Sequence, residues 1–518
     1  MKRDFGHEDA GLATPETLDN IVKNFSIRYF LETNDKKYLV GPKGTGKTLL
    51  LLRKAIDLRK RKGAICIPSD SDLPVDRLTA AQHVGKQFNY TVSDESESGL
   101  AWTSIWKHSI FRSVLHHLRD QILTQIDENM PSKAEDSWQH ELAYSRLKAA
   151  RGFVDDILVN KSPKPCRPFY YFTELGARLD SSPRDTLRTT RRETEELDSL
   201  LGSIDREVYV FMDNLDDYYE KEPDLWYNSM YGQFRAVREI SLTHRSIHLF
   251  TSIRSDVYSQ FSDEMQLQYF DYIAPLEYTK DELLKIFELR IRDLDSDLLC
   301  FPNLQKTDPW KAFFGDCITI PNNYIGGEEN IKDYIHRHTL GRPRDMIHMG
   351  TVLLMRRPEA CFVPDSIREA VILAEEQIAE QYLAEVRPML DQRFNIKELV
   401  KGYVPCNIMN SSQMKEAISA YIESRDDLYD PSAASDLTKP FATLYELGLL
   451  GISQRKIGTK ENLQFFELPG KGLSDPEDRE LPKSNLYLIH PVLNHLLPRE
   501  RKSDKMIVGK DLYVTLDQ

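Results

Sequence analysis

The 518-residue sequence predicts an α/β fold with a parallel β-sheet, followed by a smaller, α-rich C-terminal domain. Three observations predict it. A glycine-rich loop over residues 41–48 joins a short β-like run to a helix with one apolar face. Two runs, Val208–Met212 and Ile247–Phe250, have the composition of strands buried in a parallel sheet. Beyond residue 391 the pattern changes to several helices and one hairpin.

Composition and charge limit the class of protein. With 41% hydrophobic and 29% charged residues, the chain is ordinarily globular and long enough for roughly two to four domains. A net charge of -13 argues against a protein that binds nucleic acid nonspecifically through its overall charge, although a local basic patch could still bind nucleic acid. Six cysteines form no C-x-x-C pair, which indicates reduced thiols. No apolar stretch reaches the ~18 residues of a membrane span, so we expect a soluble, cytoplasmic protein with no membrane partner.

The most specific motif is the loop that follows the first β-like run. It fits G-x-x-x-x-G-K-[ST], a pattern in which backbone N–H groups and the positive end of a helix surround phosphates. Its lysine would bridge the β- and γ-phosphates, and its threonine would bind Mg²⁺ through the hydroxyl. The motif therefore predicts a site for ATP and Mg²⁺ made by Gly41, Pro42, Lys43, Gly44, Thr45, Gly46, Lys47 and Thr48.

Acidic residues follow the apolar run at 208–212. Asp213 would lie at the carboxyl end of its strand, where open α/β sheets bind ligands, and is the predicted Mg²⁺ carboxylate. Asp216 and Asp217 follow closely enough to activate or orient a water molecule. The alternative interpretation is a solvated cap on the next helix, which applies most to Asp217.

A third predicted strand, over 247–250, is followed by polar residues and Arg254. In such a sheet this strand should neighbour the other two, so that Arg254 could sense a γ-phosphate. The alternative is an ordinary surface arginine at a strand end. An apolar segment over 272–276 fits the last parallel strand, and the next helix opens with a capping box over 279–282.

Together these motifs resemble those of the AAA+/STAND branch of P-loop ATPases. FMDNLDD at 211–217 looks like the acidic motif of that branch, which implies metal and water-positioning roles for Asp213, Asp216 and Asp217. FTSIRSD is similar to its sensor-1 strand, with Ile253 as an extra residue. LGRPRD resembles the G-x-P element of its helical lid, and this implies that Arg344 lies near the phosphates.

Two departures from the family pattern matter. Asn214 follows Asp213 where many AAA+ enzymes have Asp-Glu, so the identity of the catalytic base stays open. The stretch 255–273, in which ring-forming members carry an arginine finger, contains no Arg or Lys. The resemblance therefore favours a slow nucleotide switch of the STAND type over a ring motor.

The resemblance and the pattern divide the chain into three parts. Residues 1–278 form the predicted P-loop domain, with a helical insertion at about 95–203 that is either a partner surface or a scaffold. Residues 279–390 form the lid. Residues 391–518 resemble a winged-helix domain, with alternating apolar strands on either side of a wing near residue 457.

Three functions remain open. The leading hypothesis is an ATP-hydrolysing regulatory switch that acts as a homo-oligomer, on a separate effector protein, or both, similar to ATPases of bacterial antiphage defence modules. The alternative is an initiator- or transposition-type AAA+ ATPase that binds DNA. A third class is a structural subunit that holds nucleotide without turnover.

The candidate recognition helix of the winged-helix domain, SDLTKPFATLYELGLL at 435–450, discriminates between the first two hypotheses. It offers one cation, Lys439, against Asp436 and Glu446, whereas its apolar residues, including Phe441 and Leu444, suggest a helix packed on its own core. DNA-reading domains need basic residues for phosphate contacts. We therefore expect weak DNA binding. The wing is more basic, with Arg455, Lys456 and Lys460.

Overall fold

The chain is mixed α/β, with a five-stranded parallel sheet and a second body made of helices and an antiparallel sheet. No helix in the described part of the chain is long and apolar enough to cross a membrane. The five cysteines in that part form no disulfide. The computed structural model describes residues 5, 24–61, 63–68, 95–130, 138–160, 167–168, 170–171, 174, 183–202, 205–213, 223–322, 327–358, 361–387, 390, 394–425, 439–455, 461–467, 469, 479–497 and 513–515.

The parallel sheet has the spatial order β2-β3-β4-β1-β5. The sequence predicts strands over 37–40, 64–67, 208–212 and 272–276, and the structure agrees with these bounds to within one residue at each end. β4, predicted over 247–250, is four residues longer, because residues 251–254 pair with residues 38–41 of β1. The third predicted strand does lie between the other two, as expected. The strands are β1 (Tyr38–Gly41), β2 (Ile65–Ile67), β3 (Val208–Met212), β4 (Ile247–Arg254) and β5 (Ile273–Pro275).

Helices cover both faces of this sheet, and alternate strand residues point to opposite faces. On one face, Leu39 and Phe211 pack with α1 and α2; on the other, Val40 and Val210 pack with α3 and α7. The helices of this domain are α1 (Phe25–Glu32), α2 (Lys47–Arg59), α3 (Glu95–His117), α4 (Arg119–Glu128), α5 (Trp138–Asp155), α6 (Pro183–Leu201), α7 (Pro223–Thr243), α8 (Ser255–Tyr258) and α9 (Asp263–Tyr269).

At least one side of the insertion helix α3 is a scaffold, because it packs on α7 of the same domain. Trp102 and Trp106 are fully buried against α7, and the Trp106 indole N–H donates to the carbonyl of Ser229 at 3.0 Å. A Cβ at Gly232 would lie 2.4 Å from Cβ of Trp102. Glycine is thus required where the two helices cross.

The second body follows the sheet. Its first helix opens with the predicted capping box of Thr279 and Glu282. The antiparallel sheet has the order β12-β10-β9-β11-β8. The elements are α10 (Lys280–Asp293), α11 (Pro309–Phe314), β6 (Thr319–Asn322), β7 (Gly327–Asn330), α12 (Ile331–Arg337), α13 (Pro343–Met355), α14 (Pro364–Val386), α15 (Ile396–Gly402), β8 (Ile408–Met409), α16 (Ser411–Glu423), α17 (Lys439–Glu446), β9 (Leu450–Arg455), β10 (Glu461–Phe466), β11 (Leu486–Ile489) and β12 (Tyr513–Thr515).

A buried lysine joins α1 to α2. Lys54 is 1% exposed, and its Nζ donates to the carbonyls of Phe30 (2.6 Å) and Thr33 at the end of α1. Burial, together with the nearby charges of Lys37 and Arg61, lowers the pKa of Lys54 to about 7 against the opposing effect of Asp35. Between this pKa and the ordinary lysine pKa of about 10.4, the unfolded chain holds a proton that the folded chain lacks.

The free energy of unfolding of the wild type should therefore rise with pH above about 7. In Lys54→Met this contribution to the rise should be absent. Between pH 7.5 and 9 we expect the wild type to gain about 2 kcal/mol of unfolding free energy relative to Lys54→Met. Urea unfolding at several pH values measures this difference. Lys60→Met, at an exposed position just after α2, is the control and should follow the wild type. Parallel pH profiles for wild type and Lys54→Met would contradict the prediction.

Candidate functional site

The candidate site is built around the loop between β1 and α2. Gly44 and Gly46 have φ of 84° and 89°, a left-handed conformation that strongly favours glycine. Gly46 is also the N-cap residue of α2, so the helix begins directly at Lys47. The two glycines let the chain leave the sheet, reverse and enter a helix whose N-terminal end faces the loop.

Donors hold the carbonyl groups of the first five loop residues. Lys47 Nζ donates to the carbonyls of Gly41 and Pro42, both at 2.8 Å, and Thr45 Oγ1 also donates to Pro42 at 2.8 Å. The remaining three carbonyls accept from beyond the loop: Lys43 from Arg342 Nη1 (3.4 Å), Gly44 from the Arg344 N–H (3.1 Å) and Thr45 from the Tyr278 hydroxyl (2.9 Å).

This pattern fixes the direction of the loop's amide groups. In a trans peptide unit the N–H points away from the C=O. Because donors contact the carbonyls of Pro42 to Thr45, the N–H of each following residue, 43–46, points away from the donor on the carbonyl before it. Successive N–H groups on one side of a turn, next to a helix N-terminus, form an anion-binding hollow. The loop is therefore the candidate phosphate site.

Asp213 lies directly after β3, two strands from the loop at the carboxyl ends of the parallel strands. It is 3% exposed, and the Ser252 hydroxyl of β4 donates to its Oδ1. Ser252 in turn pairs with Leu39 of β1. Adjacent strands are about 4.8 Å apart, so β3 lies about 10 Å from β1. The predicted acids Asp216 and Asp217 lie outside the described residues.

Arg254 ends β4 and is paired in register with Gly41, the first residue of the loop. It is 7% exposed, so the interpretation as an ordinary surface arginine is wrong. Its Nε and Nη2 donate to the two carboxylate oxygens of Asp256 at 3.0 and 2.7 Å. The backbone therefore lies beside the loop as predicted, and the guanidinium forms a two-pronged, buried ion pair.

Arg344 also lies against the loop, where its main-chain N–H donates to the Gly44 carbonyl and its side chain from Cβ to Nε passes beside Gly44. A Cβ at Gly44 would lie 2.9 Å from Cβ of Arg344, so only glycine permits this approach. The Arg344 guanidinium pairs with Glu385 of α14 at 3.1 Å. Thr48 lies in the first turn of α2, next to Lys47.

Two residues at the site, Tyr278 and Arg342, were missed by the sequence analysis, and Ser252 was noted only as one of the polar residues in FTSIRSD. Burial raises the pKa of Tyr278 above its ordinary value, so at neutral pH the hydroxyl keeps the proton that it donates to the loop. Burial lowers the pKa of Arg342, but the carboxylates of Asp345 and Glu385 outweigh burial and raise it, so the guanidinium stays charged. The sequence signal for Arg342 was its position in LGRPRD, where it and Arg344 lie on either side of Pro343.

No group of three or more His, Cys, Asp or Glu side chains with the geometry of a metal site occurs within the described ranges. No family model matches the chain, and no curated protein matches its sequence.

Proposed function

We propose that this chain is a P-loop ATPase of the AAA+/STAND type that binds ATP with Mg²⁺ and hydrolyses it slowly. The observation that carries the proposal is the loop at 41–46, where the carbonyls of residues 41–45 all accept hydrogen bonds, so that the N–H after each of them points away from its donor. Asp213 at the same edge of the sheet supplies a carboxylate suited to Mg²⁺. Lys47 and Thr48 would contact the phosphates and the metal ion.

The residues around the loop favour slow ATP turnover. The segment 255–273 offers no Arg or Lys that could act on a neighbouring subunit's nucleotide. Arg254, the buried cation at the end of β4, forms an ion pair with Asp256. A nucleotide that persists in its site suits a switch better than a motor, because the bound state then lasts long enough for a partner to act on it.

The partner is proposed to be a second copy of the chain, a separate effector protein, or both, in a bacterial antiphage defence module. This part of the proposal comes from the resemblance to defence ATPases. Purification with native partners, followed by mass spectrometry, tests it: recovery of a stoichiometric effector supports the switch.

The C-terminal domain is proposed to be a winged helix. Its helices α15, α16 and α17 and its hairpin β9–β10 follow one another as in that fold, while β11 lies between β9 and β8. Phe441 and Leu444 of α17 are fully buried, as the sequence predicted. Arg479 pairs with Glu446 and donates to Thr443, so one side of α17 is covered by the chain itself. The winged helix is therefore proposed to dock on protein rather than DNA.

The DNA-binding alternative has a direct test. We expect duplex DNA to bind weakly at ~150 mM salt, since phosphate contacts dominate affinity and α17 offers one cation, Lys439. Fluorescence anisotropy with the wild type measures this, with the triple variant Arg455→Ala, Lys456→Ala and Lys460→Ala as comparison. Submicromolar binding that the triple variant loses would favour the DNA-associated ATPase. Lys456 and Lys460 lie outside the described residues.

The ATPase proposal itself is tested by phosphate release from ATP. The purified full chain should release phosphate slowly and in proportion to protein concentration, and Lys47→Ala should release none. A fast activity that appears only above a threshold protein concentration would indicate a ring motor instead. Tight ATP binding without any release would support the third class, a structural subunit.

A further inference from the structure

Two cysteines that are distant in the chain meet at the end of α11. Cys300 lies between α10 and α11, and Cys361 lies between α13 and α14. A Cβ placed on Gly315 would lie 3.4 Å from Cβ of Cys300, 3.3 Å from Cβ of Cys361 and 3.4 Å from Sγ of Cys361. A single methyl group at that position would therefore touch both cysteines. A hydrogen bond joins their two thiols.

Gly315, the residue directly after α11, makes this approach possible. Its φ of 70° lies in the left-handed region, and its N–H donates to the carbonyl of Lys311 at 2.9 Å. An alanine at this position would be strained in its backbone and would press on both cysteine side chains. Glycine therefore lets the two cysteines lie against the backbone at the end of α11.

Contacts that do not involve the thiols hold the two segments in place. The Phe301 N–H donates to a carbonyl of α11 at 3.0 Å. Arg357 Nη1 donates to the carbonyl of Asp297 at 3.1 Å, which ties the segment before α14 to the segment before α11. Phe362, next to Cys361, packs on Phe313 of α11 with ring centroids 5.3 Å apart. These contacts keep the cysteines side by side whether their thiols are reduced or joined.

The pair is reduced in this structure and is accessible to small molecules. Both cysteines are partly exposed. Partial burial, followed by the hydrogen bond with Cys300, raises the pKa of the Cys361 thiol above its ordinary value, and the nearby charges are Arg357, which lowers it, and Asp316, which raises it. Since a thiol reacts as its thiolate, Cys361 reacts slowly at neutral pH. The pair therefore stays reduced until a thiol oxidant is supplied.

We propose that Cys300 and Cys361 are a redox-active pair, which an oxidant of the disulfide class converts reversibly into a covalent lock on the lid. With oxidised glutathione, one thiolate of the pair attacks the glutathione disulfide and releases a glutathione thiolate. The other cysteine thiolate then attacks the mixed disulfide and releases the second glutathione. The two cysteines lose two electrons and two protons, and two glutathione thiols receive them.

The lock acts on a defined part of the lid. The new bond would close a loop of residues 300–361, which contains α11, α12 and α13. A closed loop restricts the unfolded chain, so oxidation stabilises the lid against unfolding. This inference goes beyond the proposed ATPase function and requires no bound nucleotide, so the two fail or succeed separately.

Mass spectrometry of the folded full chain under non-reducing conditions tests the pairing. After incubation with oxidised glutathione, the wild type should lose the mass of two hydrogen atoms and yield linked peptides that contain Cys300 and Cys361. Reduced glutathione should restore the free thiols. Cys361→Ser should form no such link, whereas Cys317→Ser, at another partly exposed cysteine close to Gly315, is the matched control and should form it.

Three results would overturn the pairing: glutathione adducts that never close, a link to another cysteine, and a link that forms only in denaturant. The wild-type peptides decide between these results even if Cys361→Ser fails to fold.

Thermal unfolding measures the effect of the bond on the lid. The wild type oxidised by glutathione should unfold roughly 5 °C above the reduced wild type, because the closed loop restricts the unfolded chain. The same treatment should leave Cys361→Ser unchanged and should shift Cys317→Ser as much as the wild type. Oxidised wild type that unfolds at or below the temperature of the reduced protein would overturn the lock.

Discussion

Lys47→Ala is expected to abolish ATP binding. Lys47 Nζ lies on the loop, donating to the carbonyls of Gly41 and Pro42, and a phosphate in the amide-lined hollow would lie within its reach. A hydrogen bond to a charged group contributes about 1.5–3 kcal/mol, and this lysine would form more than one. The variant also loses the bonds that shape the start of the loop. We expect at least a hundredfold loss of affinity.

Calorimetric titration of ATP with Mg²⁺ measures the loss. The matched control is Lys60→Ala, one residue beyond the same helix, where the side chain is exposed and pairs only weakly with Asp57 at 3.5 Å. It should bind ATP like the wild type. Unchanged affinity in Lys47→Ala would overturn the assignment of the loop as a phosphate site.

Asp213→Asn is expected to bind ATP and to hydrolyse it at least about a hundred times more slowly. The change keeps an oxygen that can accept from the Ser252 hydroxyl, and removes the charge that would hold Mg²⁺. Metal stabilisation of a transferring phosphoryl group contributes several kcal/mol to the transition state, whereas nucleotide binding rests mainly on the loop. Binding and turnover should therefore separate in this variant.

Single-turnover hydrolysis, with ATP affinity measured in parallel, tests this separation. Asp271→Asn, an exposed carboxylate in the same domain, is the control and should turn over normally. The same assay compares the roles of Asp216 and Asp217, which lie outside the described residues. We expect Asp216→Ala to hydrolyse ATP more slowly than the wild type. If Asp216→Ala turns over like the wild type and Asp217→Ala does not, their roles are exchanged. Wild-type turnover in Asp213→Asn would remove Asp213 from the site.

The sequence by itself determined the elements whose signals are local. The left-handed glycines, Lys47 at the start of a helix and the apolar run of β3 are all read within a few neighbouring residues, because backbone geometry and burial periodicity act over that range. The capping box at Thr279 was predictable for the same reason. The position of β4 between β1 and β3 followed once the motifs were placed on a parallel sheet.

Only the tertiary structure decided which arginine holds the loop. The sequence singled out Arg344, yet the guanidinium that reaches a loop carbonyl is that of Arg342, which is enclosed by Asp345, Glu385 and the carbonyl of Lys43. Arg344 contributes its main-chain N–H and the start of its side chain to the loop and its guanidinium to Glu385. These partners lie up to 299 residues apart, and their geometry depends on how two hydrophobic cores meet. Contacts of that kind have no local signature, since they exist only after α14 has packed into the core shared by the lid and the C-terminal domain.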